Sequence, residues 1–273
     1  MPEGPEIWRA AQGLARVLDG HEVERAEFMQ KRLHNYGSAL SGQRVIAVNA
    51  RGKALVTRFD NGLALYSHNQ LYGRWYIVRR GKLPKTNRSL RVALHTAEHS
   101  ALLYSASDIE VLDEAGLGHH PYLARLGPEA LDEAVVWRDI VARMDDPRFR
   151  RRRLASLYLD QHFVAGIGNY LRTEILYAAR LDPRARPVDL GRAEKGRLAR
   201  ATLDLTRQSL ATKGVTNKLS RAQKLRREGV SYGRYRFAAF ARAGEPCYEC
   251  GGEIQRRELG SRRLYVCPSC QSC

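Results

Sequence analysis

Cysteine is scarce in this chain and acidic residues are outnumbered. All five cysteines lie from Cys247 onward, which excludes a scaffold stapled by scattered disulfides and fits a reducing compartment. No apolar run is long enough to cross a bilayer, and the start of the chain lacks the pattern of a secretory signal. A soluble, cytoplasmic protein without a membrane partner is the expectation. The shortage of acid matters most. Lys and Arg number 46 against 29 Asp and Glu, a net charge of +17 with a pI near 10.0. Such an excess points to a polyanionic partner, with nucleic acid the first candidate. A ribosomal or simply basic protein has the same charge. There is no internal repeat or low-complexity tract, and 273 residues allow two or three domains with their own cores.

The stretch around which the chain is organised is its start, Met1-Pro2-Glu3-Gly4-Pro5-Glu6. Removal of Met1 leaves Pro2 as the amino terminus, a secondary amine. A free α-amine titrates near neutrality, far below lysine. Uncharged, it can attack an electrophilic sugar carbon and form an iminium, as Schiff-base lysines do. Glu3 and Glu6 bring carboxyl groups for proton transfer. The plain alternative is a helix lead-in. Ile7, Ala10, Ala11, Leu14, Val17 and Leu18 follow helical spacing from Pro5, with Gly20 at the exit. A packed helix so close to the terminus would hold it still.

From there to about residue 115 the pattern is one of short strands, including a hairpin signal at Asp60-Asn61-Gly62. Such a series predicts a sandwich or barrel. Arg51-Gly52-Lys53 precedes a strand. Lys53 is either a second amine for acid/base work or a solvated hairpin lysine. Ser67 to Gly73 reads as a polar loop carrying Gln70, Leu71 and Tyr72, suited to core packing or to insertion between bases. Beyond residue 126 the pattern turns helical, with candidates at Ala134–Met144, Leu154–Phe163 and roughly Ala193–Ala211. The cluster Arg148, Arg150, Arg151, Arg152 and Arg153 precedes the second of them. Gly166-Ile167-Gly168-Asn169 predicts a turn opening a further helix through Tyr177. Free N–H groups there suit a phosphate, and Asn169 could cap the helix or bind the same phosphate; an ordinary helical-hairpin turn has the same pattern. Residues 213–231, with Lys218, Arg221, Lys224, Arg226 and Arg227, read as poorly structured, either a solvated loop or a mobile basic loop over a DNA site.

Cys247-x2-Cys250 and Cys267-x2-Cys270 are separated by sixteen residues. Two such knuckles predict one four-thiolate zinc site, closed and therefore structural. Ser261 to Val266 reads as the tip and second strand of an intervening hairpin. An arginine at that tip can hold a phosphate bidentately. Cys273 is the odd cysteine.

The opening hexapeptide, Arg51-Gly52-Lys53, Gly166-Ile167-Gly168-Asn169 and the paired Cys-x-x-Cys ending, in that order across essentially the whole chain, resemble the formamidopyrimidine-DNA glycosylase and endonuclease VIII family. Ser67 to Gly73 and Tyr104 to Glu110 resemble its bacterial endonuclease VIII branch, which acts on oxidised pyrimidines. The resemblance implies an α+β multi-domain fold. An N-terminal β-sandwich with its helix would occupy 1–120, a helix–two-turn–helix domain 126–215, and the basic loop with a zinc ribbon 216–273. It implies damaged double-stranded DNA as partner, a bifunctional glycosylase and abasic-site lyase, a monomer, and no small-molecule cofactor. The damaged nucleotide is flipped out of the duplex. Pro2 matches the nucleophile that attacks C1′, and Glu3 the general acid. Lys53 assists elimination and lies near the backbone phosphate. Arg262 matches the hairpin-tip arginine that binds phosphate and takes part in δ-elimination. Gln70, Leu71 and Tyr72 match the wedge that fills the emptied stack, while Arg125 and Asn169 match DNA-contacting positions. Glu6 matches a carboxylate of open role. The basic stretch 213–231 departs from the pattern by its length, which leaves base preference the least constrained part. Two readings compete: the same chemistry on oxidised purines, against which the wedge argues, and a non-catalytic zinc-ribbon DNA-binding protein, which needs neither Pro2, Glu3 nor Lys53.

Overall fold

The computed structural model describes residues 2–259 and 262–271, in two compact units, 1–125 and 126–273. Cys273 and the Ser261 tip of the predicted hairpin lie outside the described residues.

The first unit opens with α1 (Gly4–Leu18), which has Pro5 in its first turn and ends before Gly20, whose φ is +74°. Its apolar stripe is fully used. Ile7, Leu14 and Leu18 are each 1% exposed, and burial of such side chains contributes about 1.5–3 kcal/mol apiece. The strands follow: β1 (Glu22–Val23) and β2 (Arg25–Phe28), a short α2 (Tyr36–Leu40), then β3 (Gln43–Arg51), β4 (Ala54–Phe59), β5 (Leu63–His68), β6 (Arg74–Arg79), β7 (Leu90–His95), β8 (His99–Tyr104) and β9 (Asp108–Asp113). They form two antiparallel sheets, ordered β1-β3-β4-β5-β9 and β2-β7-β8-β6. One core holds both sheets together: Val48, Leu55, Leu65 and Ile109 from the first, Phe28, Val92, Leu94 and Leu103 from the second, capped by α1. This is the predicted sandwich with its N-terminal helix. The Asn61-Gly62 turn joins β4 to β5, with Gly62 at φ +80°. A helix missed by the sequence patterns, α3 (Glu114–His119), follows β9 and is capped by Asp113, which accepts the Gly116 N–H at 2.7 Å.

The second unit contains both the helical segment and the cysteine-bearing segment. Its helices are α4 (Trp137–Asp145), α5 (Leu154–Leu157), α6 (Asn169–Ala178), α7 (Arg192–Ala211), α8 (Leu219–Arg227) and α9 (Tyr232–Tyr235). The hairpin of β10 (Gln255–Leu259) and β11 (Arg262–Val266) lies between the two Cys-x-x-Cys knuckles. Two expectations change here. The helix expected over Leu154–Phe163 is a single turn, because the chain turns away after Leu157 to bury Tyr158 and Phe163 edge to face. The stretch 213–231 is not structureless: α8 occupies its middle, with Ala222 buried and Arg221 paired to Glu249 at 2.9 Å.

Candidate active site and metal centre

In the first unit, the amino-terminal turn is fastened by its own acids. Glu3 is the N-cap of α1 and only 3% exposed. Its N–H donates to Glu6 Oε2 at 3.0 Å, while Glu6 Oε1 accepts from Arg9 Nη2 at 3.2 Å. Glu6, of open role in the sequence, thus ties the first turn to the residue beside Pro2. Pro2 itself is half-buried.

Lys53 lies in the two-residue turn Gly52-Lys53 between β3 and β4, where Arg51 pairs with Ala54 and Gly52 has φ +59°. A two-residue hairpin needs positive φ, and glycine supplies it without steric cost. The lysine is 5% exposed, so the solvated-hairpin reading is excluded; a lysine buried to this degree has polar company. Its N–H donates to the Tyr122 hydroxyl at 2.8 Å. Tyr122 in turn packs edge-on against His68, ring centroids 5.4 Å apart. Burial holds the His68 ring below the usual imidazole range; the nearby charge of Lys53 adds to this, and Asp108 opposes it. The ring is therefore neutral at pH 7, and its Nδ1 accepts the Gln70 N–H at 3.0 Å.

That hydrogen bond starts the Gln70-Leu71-Tyr72 loop. Gln70 adopts φ +49°, and its Oε1 accepts from Ser107 Oγ at 2.8 Å. Arg88 Nη1 donates to the Tyr72 carbonyl. Gly73 closes the loop on Asn69, its N–H donating to the Asn69 carbonyl at 2.7 Å; a Cβ at Gly73 would lie 2.6 Å from that oxygen. Braced this way, Leu71 and Tyr72 stand out at 63% and 68% exposed. Core packing, the alternative fate for these two side chains, is excluded. Arg125 is exposed at the end of a one-turn 3₁₀ segment, Leu123–Arg125. Tyr122 and Leu123, just before it, pack against Tyr66 and Leu117.

In the second unit, Gln161 braces the glycine turn: its Oε1 accepts the Gly166 N–H at 3.0 Å and its Nε2 donates to the Ile167 carbonyl at 2.9 Å. Gly168, not Asn169, is the N-cap of α6. The Asn169 side chain instead donates to the Arg263 carbonyl at 2.8 Å, and its Oδ1 accepts from Arg172 Nη2 at 2.5 Å. Arg172 is wholly buried and was invisible to sequence reasoning, where it is one of many arginines. Its Nη1 donates to the Ala155 carbonyl at 2.7 Å and its Nη2 also to the Arg263 carbonyl at 3.1 Å. One guanidinium therefore joins α5, α6 and β11. Arg172→Met should cost roughly 3 kcal/mol, since one buried and two partly buried acceptors lose a charged donor. Arg172→Lys should recover little, because an ammonium cannot reproduce the fork. Chemical denaturation measures both; a loss below 0.5 kcal/mol, on the order of a surface substitution, would refute the hub.

The four cysteines converge. The Sγ atoms of Cys247, Cys250, Cys267 and Cys270 all lie within 4.8 Å of one another. Cys247 and Cys270 are 3.9 Å apart, Cys250 and Cys267 3.4 Å. A tetrahedron of about 2.3 Å Zn–S bonds places its sulfurs about 3.8 Å apart. The donor set and its spacing fit one tetrahedral, thiophilic metal ion. Burial raises the Cys247 thiol, but hydrogen bonds from the Tyr177 hydroxyl (3.1 Å) and from backbone N–H groups outweigh it and bring it to about 6. The Cys270 thiol moves up, through burial and its sulfur neighbours. Arg262 is exposed on β11.

Family models of the formamidopyrimidine-DNA glycosylase N-terminal domain and H2TH domain match residues 1–107 and 126–221. Endonuclease 8 of Salmonella arizonae is 47% identical over 272 residues, covering 99% of this chain and 100% of that protein. The chain belongs to this family. Its members are the DNA glycosylases and abasic-site lyases of base excision repair. Endonuclease 8 of Salmonella typhimurium is 46% identical over 271 residues, with 99% and 100% covered. Among solved structures, Lactococcus lactis Fpg in complex with DNA containing N7-benzyl-Fapy-dG has a TM-score of 0.81 at 19% identity, with both chains fully covered. The same enzyme with DNA containing an oxidised pyrimidine gives 0.81 at 20%, again over both full chains. At that identity the likeness establishes the fold: β-sandwich, H2TH helices and a cysteine-bearing ribbon.

Proposed function

We propose that this chain excises oxidised pyrimidines from duplex DNA through a Pro2 iminium and then cuts the strand by β,δ-elimination, with one structural zinc ion in its ribbon. The observation that carries the chemistry is the fastened amino-terminal turn. The Glu3–Glu6 capping box is how an ordinary helix start is fastened; what supports the chemistry is that it holds a carboxyl only 3% exposed directly beside Pro2. The Pro2 nitrogen, once freed of Met1, adds its lone pair to C1′ of the flipped nucleotide. The bond to the base breaks, and the base leaves with the proton that the attacking amine sheds. Glu3 is read as the acid that protonates the ring oxygen, so that the opened sugar becomes an iminium on Pro2. Loss of a proton from C2′ then expels the 3′ phosphate. A second elimination expels the 5′ phosphate, and hydrolysis of the iminium frees the enzyme. Lys53 is read as serving these eliminations, and Arg262, Arg125 and Asn169 as holding phosphates. Exposed Leu71 and Tyr72, with Gln70, are read as the wedge that replaces the flipped nucleotide. Four thiolates would hold the zinc with no open position, so it organises the ribbon and takes no part in the reaction.

The pyrimidine preference is supported by the identity to endonuclease 8 over the whole chain and by the Gln-Leu-Tyr loop. Borohydride trapping on paired duplexes, one with thymine glycol and one with 8-oxoguanine, tests it. A covalent adduct chiefly on thymine glycol is expected. Adduct chiefly on 8-oxoguanine would keep the amine chemistry and reverse the preference. Adduct on neither, with Met1 shown to be removed, would favour a DNA-binding protein without this chemistry.

A further inference from the structure

The arginine run before α5 has no part in the chemistry above, and its members divide into two sets. Arg148 is paired with Asp146 at 2.6 Å, and Arg152 with Asp160 at 2.5 Å. Arg150, Arg151 and Arg153 are all exposed, and among the described residues their side chains have no acid partner and no hydrogen bond.

Their place in the fold gives the reason. Arg153 is the N-cap of α5, and Ala155, two residues on, packs against Leu264 and Val266 of the ribbon hairpin. Successive residues of a strand face opposite ways, so Arg262 shares the face of Leu264 and Val266. It stands across from Leu259, which packs in the same cluster. The buried Arg172 guanidinium holds the Ala155 and Arg263 carbonyls and the Asn169 side chain together. The run is therefore fixed beside the two second-unit residues read above as phosphate contacts, Asn169 and Arg262. On its other side Arg150 accepts from Val188 N–H at 2.9 Å through its carbonyl, which pins the start of the run to the segment after Arg186. With Leu154 N–H donating to the Ala185 carbonyl at 2.9 Å, the loop is tied at both ends by backbone hydrogen bonds, which limits the ordering cost of a phosphate contact.

We propose that Arg150, Arg151 and Arg153 form a phosphate track that extends the DNA footprint from Arg262 and Asn169 into the duplex flanking the lesion on one side. This rests on the DNA-glycosylase reading. Arginines without internal partners give up no ion pair on binding, and each phosphate neutralised releases condensed counterions. The track carries affinity and no base specificity.

The test is the salt dependence of binding, with purified zinc-loaded protein and an abasic-analogue duplex. The variants are Arg150→Ser/Arg151→Ser/Arg153→Ser together and the matching triple lysine substitution. Three duplexes are used: one with long arms, and two cut back close to the lesion on either side. On the long duplex the serine variant should lower the slope of log K against log salt by about two to three, at about 0.9 per phosphate. The lysine variant should keep the wild-type slope. Shortening one particular arm should abolish the difference between wild type and the serine variant. An unchanged slope on the long duplex would overturn the track. A slope reduced equally on all three duplexes would overturn its flanking placement, making these arginines lesion-side contacts. Zinc content of both variants should match wild type. Wild-type protein that excised no thymine glycol from a separate duplex carrying that lesion would count against the proposed function while leaving the slopes to decide the track.

Discussion

A chain in which Pro2 is acylated should bind damaged duplex and excise nothing. Retaining Met1, or placing any residue ahead of Pro2, turns the proline nitrogen into a tertiary amide. Its lone pair is then delocalised into the carbonyl and is no longer a nucleophile. Loss of a covalent nucleophile costs several orders of magnitude in excision, at least about a thousand-fold, because the remaining groups can only assist an attack that no longer occurs. The addition is a single residue at the chain end, and the turn that follows is held by the Glu3 N–H to Glu6 contact and by the buried stripe of α1. Folding and affinity should therefore survive. Single-turnover excision, borohydride trapping and duplex binding are measured on the same preparation. Trapping and excision should vanish together while binding persists. Excision at wild-type rate by a protein shown by mass to keep the extra residue would remove Pro2 from the mechanism.

What could be read from the residues alone were the features in which chemistry fixes residue type. Two Cys-x-x-Cys pairs announced the four-cysteine cluster, the apolar spacing from Ile7 to Leu18 announced α1, and the Asn61-Gly62 pair announced the turn from β4 to β5. What could not be read were partnerships made in three dimensions. Nothing local to Tyr122 shows that its hydroxyl meets the Lys53 backbone, 69 residues away. Nothing local to Arg172 shows that it is fully buried while most of the described arginines are not. Dense positive charge also hid α8, whose helical pattern has little apolar signal because only Ala222 is buried. The hydrogen-bonding capacity of Asn169 was legible; the carbonyl it reaches, on a strand far along the chain, was not.

Replacing Cys247 with serine should release the metal and cost most of the DNA affinity. The hairpin is tied to the helices through the Ala155–Leu264–Val266 cluster and the Arg263 carbonyl, but the two knuckles themselves have little apolar packing. Their apolar cluster consists of Tyr177, Ala238, Ala239 and Ile254 with Cys247 and Cys267 themselves, too small to fold a hairpin unaided. Four-thiolate zinc sites supply about 10–16 kcal/mol of apparent binding free energy near neutral pH, which is folding free energy for the segment they close. Cys247 is the ligand for which the surrounding protein does most, since the Tyr177 hydroxyl and the Glu249 N–H both point at its sulfur. With the metal gone, Arg262 and Arg263 lose their fixed strand, and the hub on Arg172 loses the carbonyl that Asn169 shares with it. Wild type should carry one zinc per chain and Cys247→Ser none. Binding should weaken by ten-fold or more, on the order of 1.4 kcal/mol. Cys273→Ser, changing the cysteine outside both knuckles, should retain zinc and affinity. The order of loss discriminates further: thiolates must be deprotonated to bind, so lowering pH should release zinc from wild type before the β-sandwich unfolds. Full zinc content in Cys247→Ser would rule out the four-cysteine centre. Full affinity in a zinc-free protein would separate the ribbon from DNA binding altogether, and with it the role proposed for Arg262.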